Sequence, residues 1–513
     1  MVIPAARPVD TELNEENTMS QTAEASFAPP EVAPRLWIGG AWRDPEGGAT
    51  MDVIDPATGR AVAQVAAAST GDVAAAAAAA RTAFRDGEWA RMPARERSRV
   101  LLRAAALMRE RVEELAQAES LDVGKPIAFA RMIDVPNAAD LYEYYGTLAP
   151  HLDGATRDVP IPAFAYTRCE PRGVVAAISP FNFPLILSSS KIAPALAAGN
   201  TVVHKPSPLT PLSALLMAEL LRDAGVPDGV YNVVTGPGAE LGDALVRDPA
   251  VDMVAFTGST AVGRVVARTA GELLKPVAAE LGGNAANILF ADADLDQAVG
   301  AVINAFVFNT GQFCMAGPRL LVERPVYDTV VGILEQAVGG VPLGRPSDPG
   351  TVIGPLASAA QRDRVDEMVR DAVASGGRVV TGGERIELDG GFYYAPTVIV
   401  DLPDDALAVR EEVFGPVLTV QAFDTEDEAV ALANGTAYGL AAGVQTTDIS
   451  RAHRVAARLE AGIVWVNGWA MLDAAMPFGG VKDSGWGREN GPEALASFTR
   501  SKSVIIGLGQ PGG

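Results

Sequence analysis

From residue 37 onward the hydrophobic positions fall into two textures. The first is helical. Residues 72–85 contain seven consecutive alanines, Ala74 to Ala80, the residue with the highest helix propensity. Thr70 and Asp72 before them and Arg81 and Arg85 after them match the charge preferences of helix ends. A second helix is predicted over about 94–120, with Val100, Leu101, Leu107, Met108, Val112 and Leu115 at helix-like spacing. After His151 the texture changes to short apolar runs rich in β-branched residues. GVVAAIS (173–179), TVVHK (201–205), GVYNVVTG (229–236) and DMVAFTG (252–258) read as buried strands. Helical stretches near 186–198, 211–224, 239–247 and 260–273 separate them. Strand and helix in alternation predict a parallel sheet with crossover helices, the doubly wound arrangement that binds nucleotides. A second α/β region is expected from about residue 281 to 478. The run SFTRSKSVII (497–506) reads as a strand, which with the Pro-rich stretch 158–170 would form a small projecting sheet against another subunit.

Composition narrows the partners. The 513 residues exceed what one core usually serves, so two large domains are expected. Hydrophobic residues at 48% and charged ones at 20% fit a soluble globular chain. A net charge of −22 repels nucleic acid and anionic lipid, so neither is an expected partner. A bound phosphate must then be held locally, by backbone amides and a few placed cations. Two cysteines, Cys169 and Cys314, are too few for a disulfide framework and point to a reducing, cytoplasmic compartment. No apolar run approaches the roughly 18 to 20 residues that span a bilayer. Residues 1–34 are rich in Pro, Ala, Ser and acids, bury little and are expected to be disordered, with Met19 an alternative start.

Two glycine-rich loops follow predicted strands. TGPGAELG carries Gly236, Gly238 and Gly242 but has one residue too many to match GxGxxG. FTGSTAVG carries Thr257, Gly258, Ser259 and Gly263, with Ser259 placed to cap the next helix, where a pyrophosphate would lie. Either loop alone reads equally well as a plain strand-to-helix turn. Lys205, at a strand end, offers an ammonium to ribose or phosphate.

Cys314 lies in FNTGQFCMAGPR (308–319) among glycines and small residues, and Glu280 lies in VAAELGGNAANI. A thiol that attacks a carbonyl and a carboxylate that activates water suit acyl chemistry. Taken singly, Cys314 reads as well as a small buried apolar residue. No GxSxG occurs, and none of the three histidines, His151, His204 and His453, adjoins Cys314 in sequence, which disfavours a hydrolase triad.

Eight segments then occur in one order: SPFNFPL, GNTVVHKPS, FTGSTAVG, ELGGNAANI, GQFCMAGPR, EEVFGPV, VWVNG and PFGGVKDSGWGRE. Over residues 37–507 the chain resembles the NAD(P)-dependent aldehyde dehydrogenase superfamily. The resemblance implies an α/β fold with a Rossmann-type cofactor domain (35–150 and 171–280), a catalytic domain (281–478) and a bridging, oligomerising sheet (151–170 and 479–513). It implies a homodimer or homotetramer, with NAD or NADP as cofactor and a small-molecule aldehyde as substrate. Cys314 is then similar to the family nucleophile, Glu280 to the general base and Asn182 to the side-chain half of the oxyanion hole. The cofactor would meet Ile178, Ser179, Pro180, Phe181, Lys205, Ser207, Gly238, Gly242, Thr257, Gly258, Ser259, Gly263 and Leu281, with Glu412 on the nicotinamide ribose and Phe414 against the ring. Phe183, Phe313, Met315, Trp469, Leu472 and Phe478 would line an apolar tunnel. Ser190 stands where an aromatic residue is common, which implies extra room. Asn467 would buttress the site, and no metal is expected. Pro208 replaces a carboxylate common in NAD-preferring members, so NADP is not repelled. A medium-sized apolar or aromatic aldehyde is the expected substrate. The alternatives are a CoA-acylating or semialdehyde-specific member, or a non-catalytic structural relative.

Overall fold

A computed structural model describes residues 32–509, together with Phe27 and Pro30. Most of the expected disordered segment 1–34, Met19 included, lies outside the described residues. Of those that are described, Phe27 and Val32 pack against the helical core.

The first sheet has eight strands. Five run parallel in the spatial order Tyr231–Val233, Thr201–Lys205, Val174–Ile178, Met253–Thr257, Val277–Glu280. Chain order reverses direction between Val174–Ile178 and Met253–Thr257, which makes the carboxyl ends of those two strands the switch point where ligands of open α/β sheets lie. The strands are continuous apolar runs because both faces are covered. Val175 and Ala177 enter the core on one side, and Val174, Ala176 and Ile178 enter the core on the other. The alanine-rich segment forms the helix Thr70–Arg85. Its Val73, Ala76, Ala77 and Ala80 are buried at helical spacing, and small side chains let the helix lie close to the sheet. Ser69 and Asp72 close its start as a reciprocal capping box.

The long helix expected over 94–120 is instead two, Ala94–Glu110 and Val112–Val123, divided at Arg111, which leaves helical geometry at φ −103° and ψ 27°. The apolar spacing runs through the break unaltered, Met108 to Leu115, and so carries no sign of it.

The second sheet has seven strands. Its order is Arg378–Thr381, Thr397–Val400, Val417–Phe423, Arg319–Glu323, Ala286–Leu289, Ala441–Gln445, Ile463–Val466, and all but the first pairing are parallel. A third, antiparallel sheet joins Thr499–Gly507 to Ala163–Pro171 and Thr156–Arg157. The segment 479–513, grouped on sequence with this projecting sheet, divides. Gly485–Trp486 pairs antiparallel with Val277–Glu280 as an edge strand of the first sheet, and only the part from Thr499 reaches the third. Among the described residues no helix is long and apolar enough to cross a membrane.

Ser69→Ala removes the acceptor for the Asp72 N–H and with it half of the capping box. The expected loss is about 1 kcal/mol, read as a lower midpoint in heat denaturation with enzyme kinetics unaltered.

Candidate active site

The chain passes from the first sheet to the second through residues 281–285, and the site forms around that passage. Glu280 ends its strand and is buried. Two glycines follow it, where no side chain fits. A Cβ on Gly283 would stand 2.3 Å from the Cys314 carbonyl oxygen, and one on Gly282 would stand 2.4 Å from Glu412 Oε2. The bare backbone therefore admits both the Cys314 loop and the Glu412 carboxylate, whose Oε1 accepts the Gly283 N–H at 3.2 Å.

The Cys314 loop begins where the helix Leu295–Val307 ends. Asn309, Thr310 and Gly311 are successively left-handed, at φ 50°, 57° and 71°. Such a run is strained for Thr310, a β-branched residue, and its surroundings hold it there. Thr310 Oγ1 donates to the Gly354 carbonyl at 3.1 Å, and Gln312 Oε1 accepts the Ala357 N–H at 2.9 Å. Asn309 Nδ2 donates to the Asn182 carbonyl at 2.9 Å and to that of Gln312 at 3.1 Å. Asn182 Nδ2 donates to the same Gln312 carbonyl at 3.0 Å, two residues before Cys314. Asn182, Cys314 and Glu280, chosen on sequence, thus converge on one junction.

The sequence-chosen cofactor residues lie along the carboxyl ends of the first sheet. Ile178 closes its strand, and the Ser179 N–H bonds the Lys205 carbonyl at 3.2 Å. Ser179 Oγ and His204 Nε2 are 2.8 Å apart, and His204 Nδ1 meets the Tyr231 hydroxyl at 2.9 Å. Pro180 and Phe181 lead into Asn182, and the Phe181 ring stands edge-on to Phe414 at 5.7 Å. Phe414 is left-handed at φ 58°. Lys205 is buried; its Nζ donates to the Pro206 carbonyl at 3.1 Å and forms no ion pair among the described residues. Ser207 Oγ accepts the Leu209 N–H, which closes its own loop. Gly238 opens the helix Gly238–Arg247 and Gly242 lies on it; a Cβ on either meets nothing within 4 Å. Thr257 Oγ1 accepts from Lys191 Nζ at 2.5 Å, and the Gly258 N–H bonds the Glu280 carbonyl at 3.1 Å. Ser259 caps the helix Thr260–Glu272 as expected. Gly263 on that helix packs directly on Leu281.

Phe183, Phe313, Met315, Trp469 and Phe478 share one apolar cluster with half-buried Cys314 at its margin. Phe183 and Phe313 meet edge-on at 5.5 Å, and Trp469 Nε1 donates to the Met315 carbonyl at 3.0 Å. Leu472 does not join them; it is exposed on a surface loop with Met471 and Met476. Asn467 makes a reciprocal pair of hydrogen bonds with the Thr446 backbone, bracing its own loop.

Two residues essential to the electrostatics escaped the sequence reading. Lys191 is wholly buried, and its Nζ stands 2.5 Å from Glu489 Oε1. The legible signal was a single lysine inside Pro184–Ala197, a helix otherwise without charge. Glu489 also takes a 2.6 Å hydrogen bond from Ser190 Oγ. The expected extra room at Ser190 is therefore occupied by a polar contact.

Burial pushes the Glu280 carboxyl well above the ordinary carboxylate range, and the charge of Glu489 raises it further against the pull of Lys191. Glu280 Oε2 has no hydrogen-bond partner among the described residues. Burial, then the charges of Glu412, Glu280 and Glu489, push the Cys314 thiol up, opposed by the Met315 N–H. Glu412 is pushed up to about 8 and Lys205 down to about 8, each chiefly by burial.

Against known families, residues 42–504 match the model of the aldehyde dehydrogenase family. The chain belongs to the aldehyde dehydrogenase family. It is an enzyme of that class, an NAD(P)-dependent oxidoreductase acting on aldehydes. Among solved structures, a putative aldehyde dehydrogenase from Burkholderia cenocepacia is 44% identical with a TM-score of 0.91, covering 93% of this chain and 97% of its own. The NAD+ complex of the Bacillus cereus aldehyde dehydrogenase is 42% identical with a TM-score of 0.92, over 94% and 98%. A cysteine-to-alanine variant of the P. syringae indole-3-acetaldehyde dehydrogenase AldA, in complex with NAD+ and IAA, is 40% identical with a TM-score of 0.91, over 93% and 97%.

The resting enzyme should hold Cys314 as a neutral thiol, because thiolate is the reactive form. At neutral pH iodoacetamide is expected to label exposed Cys169 well before Cys314, with Cys314 labelling rising steeply at alkaline pH. Peptide mass spectrometry checks this, and preferential labelling of Cys314 at neutral pH contradicts it.

Proposed function

We propose that the enzyme converts an aldehyde to its carboxylic acid through covalent intermediates on Cys314. The Cys314 thiol first loses its proton, through water to solvent, and the thiolate then adds to the carbonyl carbon, forming the C–S bond while the π pair moves onto oxygen. That oxyanion is met by the Cys314 backbone N–H and by Asn182 Nδ2, which has a second N–H beyond the one given to Gln312. A bound nicotinamide dinucleotide supplies the acceptor for the hydride that leaves as the oxyanion collapses to a thioester. Glu280, as carboxylate, then takes a proton from water as the water oxygen attacks the thioester. Collapse of the second oxyanion breaks the C–S bond, releases the acid and returns the thiolate. The observation that carries this reading is the hydrogen bond from Asn182 to the chain leading into Cys314, at the junction where Glu280 ends its strand.

The residues fit a dinucleotide. Lys205 is a buried cation with only a neutral carbonyl for company, which suits ribose hydroxyls or phosphate. Ser179, Thr257 and Ser259 stand at the switch point of the sheet, and Glu412 with Phe414 faces the same passage. We read the cofactor as NAD or NADP: Pro208 offers no carboxylate to repel a 2′-phosphate. The apolar cluster around Phe183, Phe313, Trp469 and Phe478 favours a medium-sized apolar or aromatic aldehyde. Lys125, which lies over the Phe183 ring, is engaged with Asp134 and Glu119 and is not offered to a substrate carboxylate. The P. syringae relative, named for indole-3-acetaldehyde, agrees with an aromatic substrate. Glu280 weighs against acyl transfer to CoA, which needs no water-activating base, and its presence with Cys314 and Asn182 weighs against a non-catalytic role. We read the projecting sheet, with exposed Ile161, Phe164, Ile505 and Ile506, as the surface through which the enzyme forms a homodimer or homotetramer.

The deciding experiment is a panel of hexanal, benzaldehyde and succinate semialdehyde with each cofactor, with and without CoA, on the wild type and Cys314→Ala. Loss of turnover by at least about a thousandfold in the variant is expected, with the two apolar aldehydes preferred and CoA without effect. Succinate semialdehyde far ahead, or a preference for NAD beyond about a hundredfold, overturns the substrate or cofactor reading.

Glu489→Gln removes a negative charge beside Glu280 and frees the Lys191 ammonium. Both changes lower the pKa of Glu280. Since water activation needs the carboxylate, the rising limb of kcat against pH is expected to move to lower pH by about one unit. A limb that stays put or moves to higher pH refutes the coupling.

A further inference from the structure

The helix Pro184–Ala197 begins directly after Asn182 and Phe183, and its start lacks a local cap: Phe183 offers no side-chain hydrogen bond. The unsatisfied amide is met from elsewhere in the chain. Glu119 Oε1 accepts the Leu185 N–H at 3.1 Å. One turn along the same helix, Val112–Val123, Asp122 Oδ2 accepts the Leu212 N–H at 2.8 Å, opening the helix Leu212–Ala224 that follows the Lys205 loop. Left-handed Gly124, at φ 81°, ends the helix and turns the chain back, so that Lys125 points inward. Its Nζ bonds the Asp134 carboxylate, stands 3.6 Å from Glu119 Oε2, and lies 4.2 Å from the centroid of the Phe183 ring.

All four ionisable groups are buried, three carboxylates against one ammonium. Glu119 Oε2, Asp122 Oδ1 and Asp134 Oδ1 have no hydrogen-bond partner among the described residues. Burying such groups is expensive, and apolar side chains of similar volume would serve packing better. None of the four hydrogen-bonds to Cys314 or Glu280, so the reaction leaves them unexplained. Two of them touch the segment that follows Asn182, Glu119 through the Leu185 amide and Lys125 through the Phe183 ring. Asn309 holds the same turn through the Asn182 carbonyl.

We infer that Glu119 and Lys125 are positioning residues for Asn182: Glu119 fixes the Leu185 amide, Lys125 fixes the face of Phe183, and between them the Asn182 side chain is aimed. This rests on the reading of Asn182 as the oxyanion donor. The physical requirement is strict, since a donor serves an oxyanion only if it is already in place when charge develops.

A double-mutant cycle on the full enzyme tests it, reading the burst of reduced cofactor at saturating aldehyde. Asn182→Ala is expected to slow the burst about a hundredfold. Glu119→Ala should slow it about tenfold in the wild type and not at all in the Asn182→Ala background. Glu119→Gln keeps an acceptor for Leu185 and should stay within about threefold of wild type. Should Glu119→Ala yield no folded protein, Lys125→Met runs the cycle on the Phe183 contact alone, with the Leu185 hydrogen bond left intact, and the same two outcomes decide it. Equal slowing in both backgrounds, or a wild-type burst in Glu119→Ala, overturns the inference while Asn182 keeps its role. A wild-type burst in Asn182→Ala sinks the oxyanion reading and this inference with it.

Discussion

Between Glu280 and Ala286 the chain leaves one parallel sheet and enters another, and Gly282 and Gly283 in that span carry no side chains. The span fixes the distance between the two halves of the site. Glu280 is set by its ladder with Thr257, Glu412 is set by the Gly283 amide, and the Cys314 loop lies against the Gly283 backbone. A side chain at either glycine would displace a carboxylate or the nucleophile loop. The switch point of the first sheet lies one strand away from Glu280, so the crevice where open α/β sheets bind ligands adjoins the candidate site without any further device.

The left-handed stretch at Asn309, Thr310 and Gly311 depends on the same close approach. A Cβ on Gly311 would stand 2.1 Å from the Gly415 carbonyl, so the loop lies hard against the segment Gly415–Pro416. Hydrogen bonds from Thr310, Gln312 and Asn309 hold it in a conformation that local preference would reject. Such a site spends stability on geometry. The orphaned Glu280 Oε2 and the crowd of buried carboxylates are further costs of the same kind.

Legibility followed the range of the interactions. Four strands of the first sheet were readable because they are short, β-prone and buried on both faces, and its helices because their boundaries are local. Cys314, Glu280 and Asn182 stand in short distinctive runs, and the structure brings those runs together. Lys191 and Glu489 lie 298 positions apart, and nothing near either residue announces the other. Ser190 read as empty space because its partner, Glu489, arrives from the far end of the chain. Leu472 was misjudged because its loop carries it to the surface. The break at Arg111 leaves the apolar spacing intact, and the return of Gly485–Trp486 to the first sheet involves too few residues to leave a pattern.

Burial, and then the charges around Cys314, favour a neutral thiol at rest. Burial and three carboxylates raise the thiol, and the buried ammonium of Lys191 is committed to Glu489. A neutral thiol is a poor nucleophile but also resists oxidation, which attacks the thiolate. The same burial that suppresses the thiolate strips water from the site, so any donor aimed at a developing oxyanion acts with little screening. Suppression at rest and stabilisation during reaction thus share one cause. For that to favour the reaction, the oxyanion donors must already be in position when the carbonyl adds, because a donor that moved into place later would forfeit the gain. On the proposed mechanism, anchoring of the turn at Asn182 therefore matters alongside the acidity of the thiol.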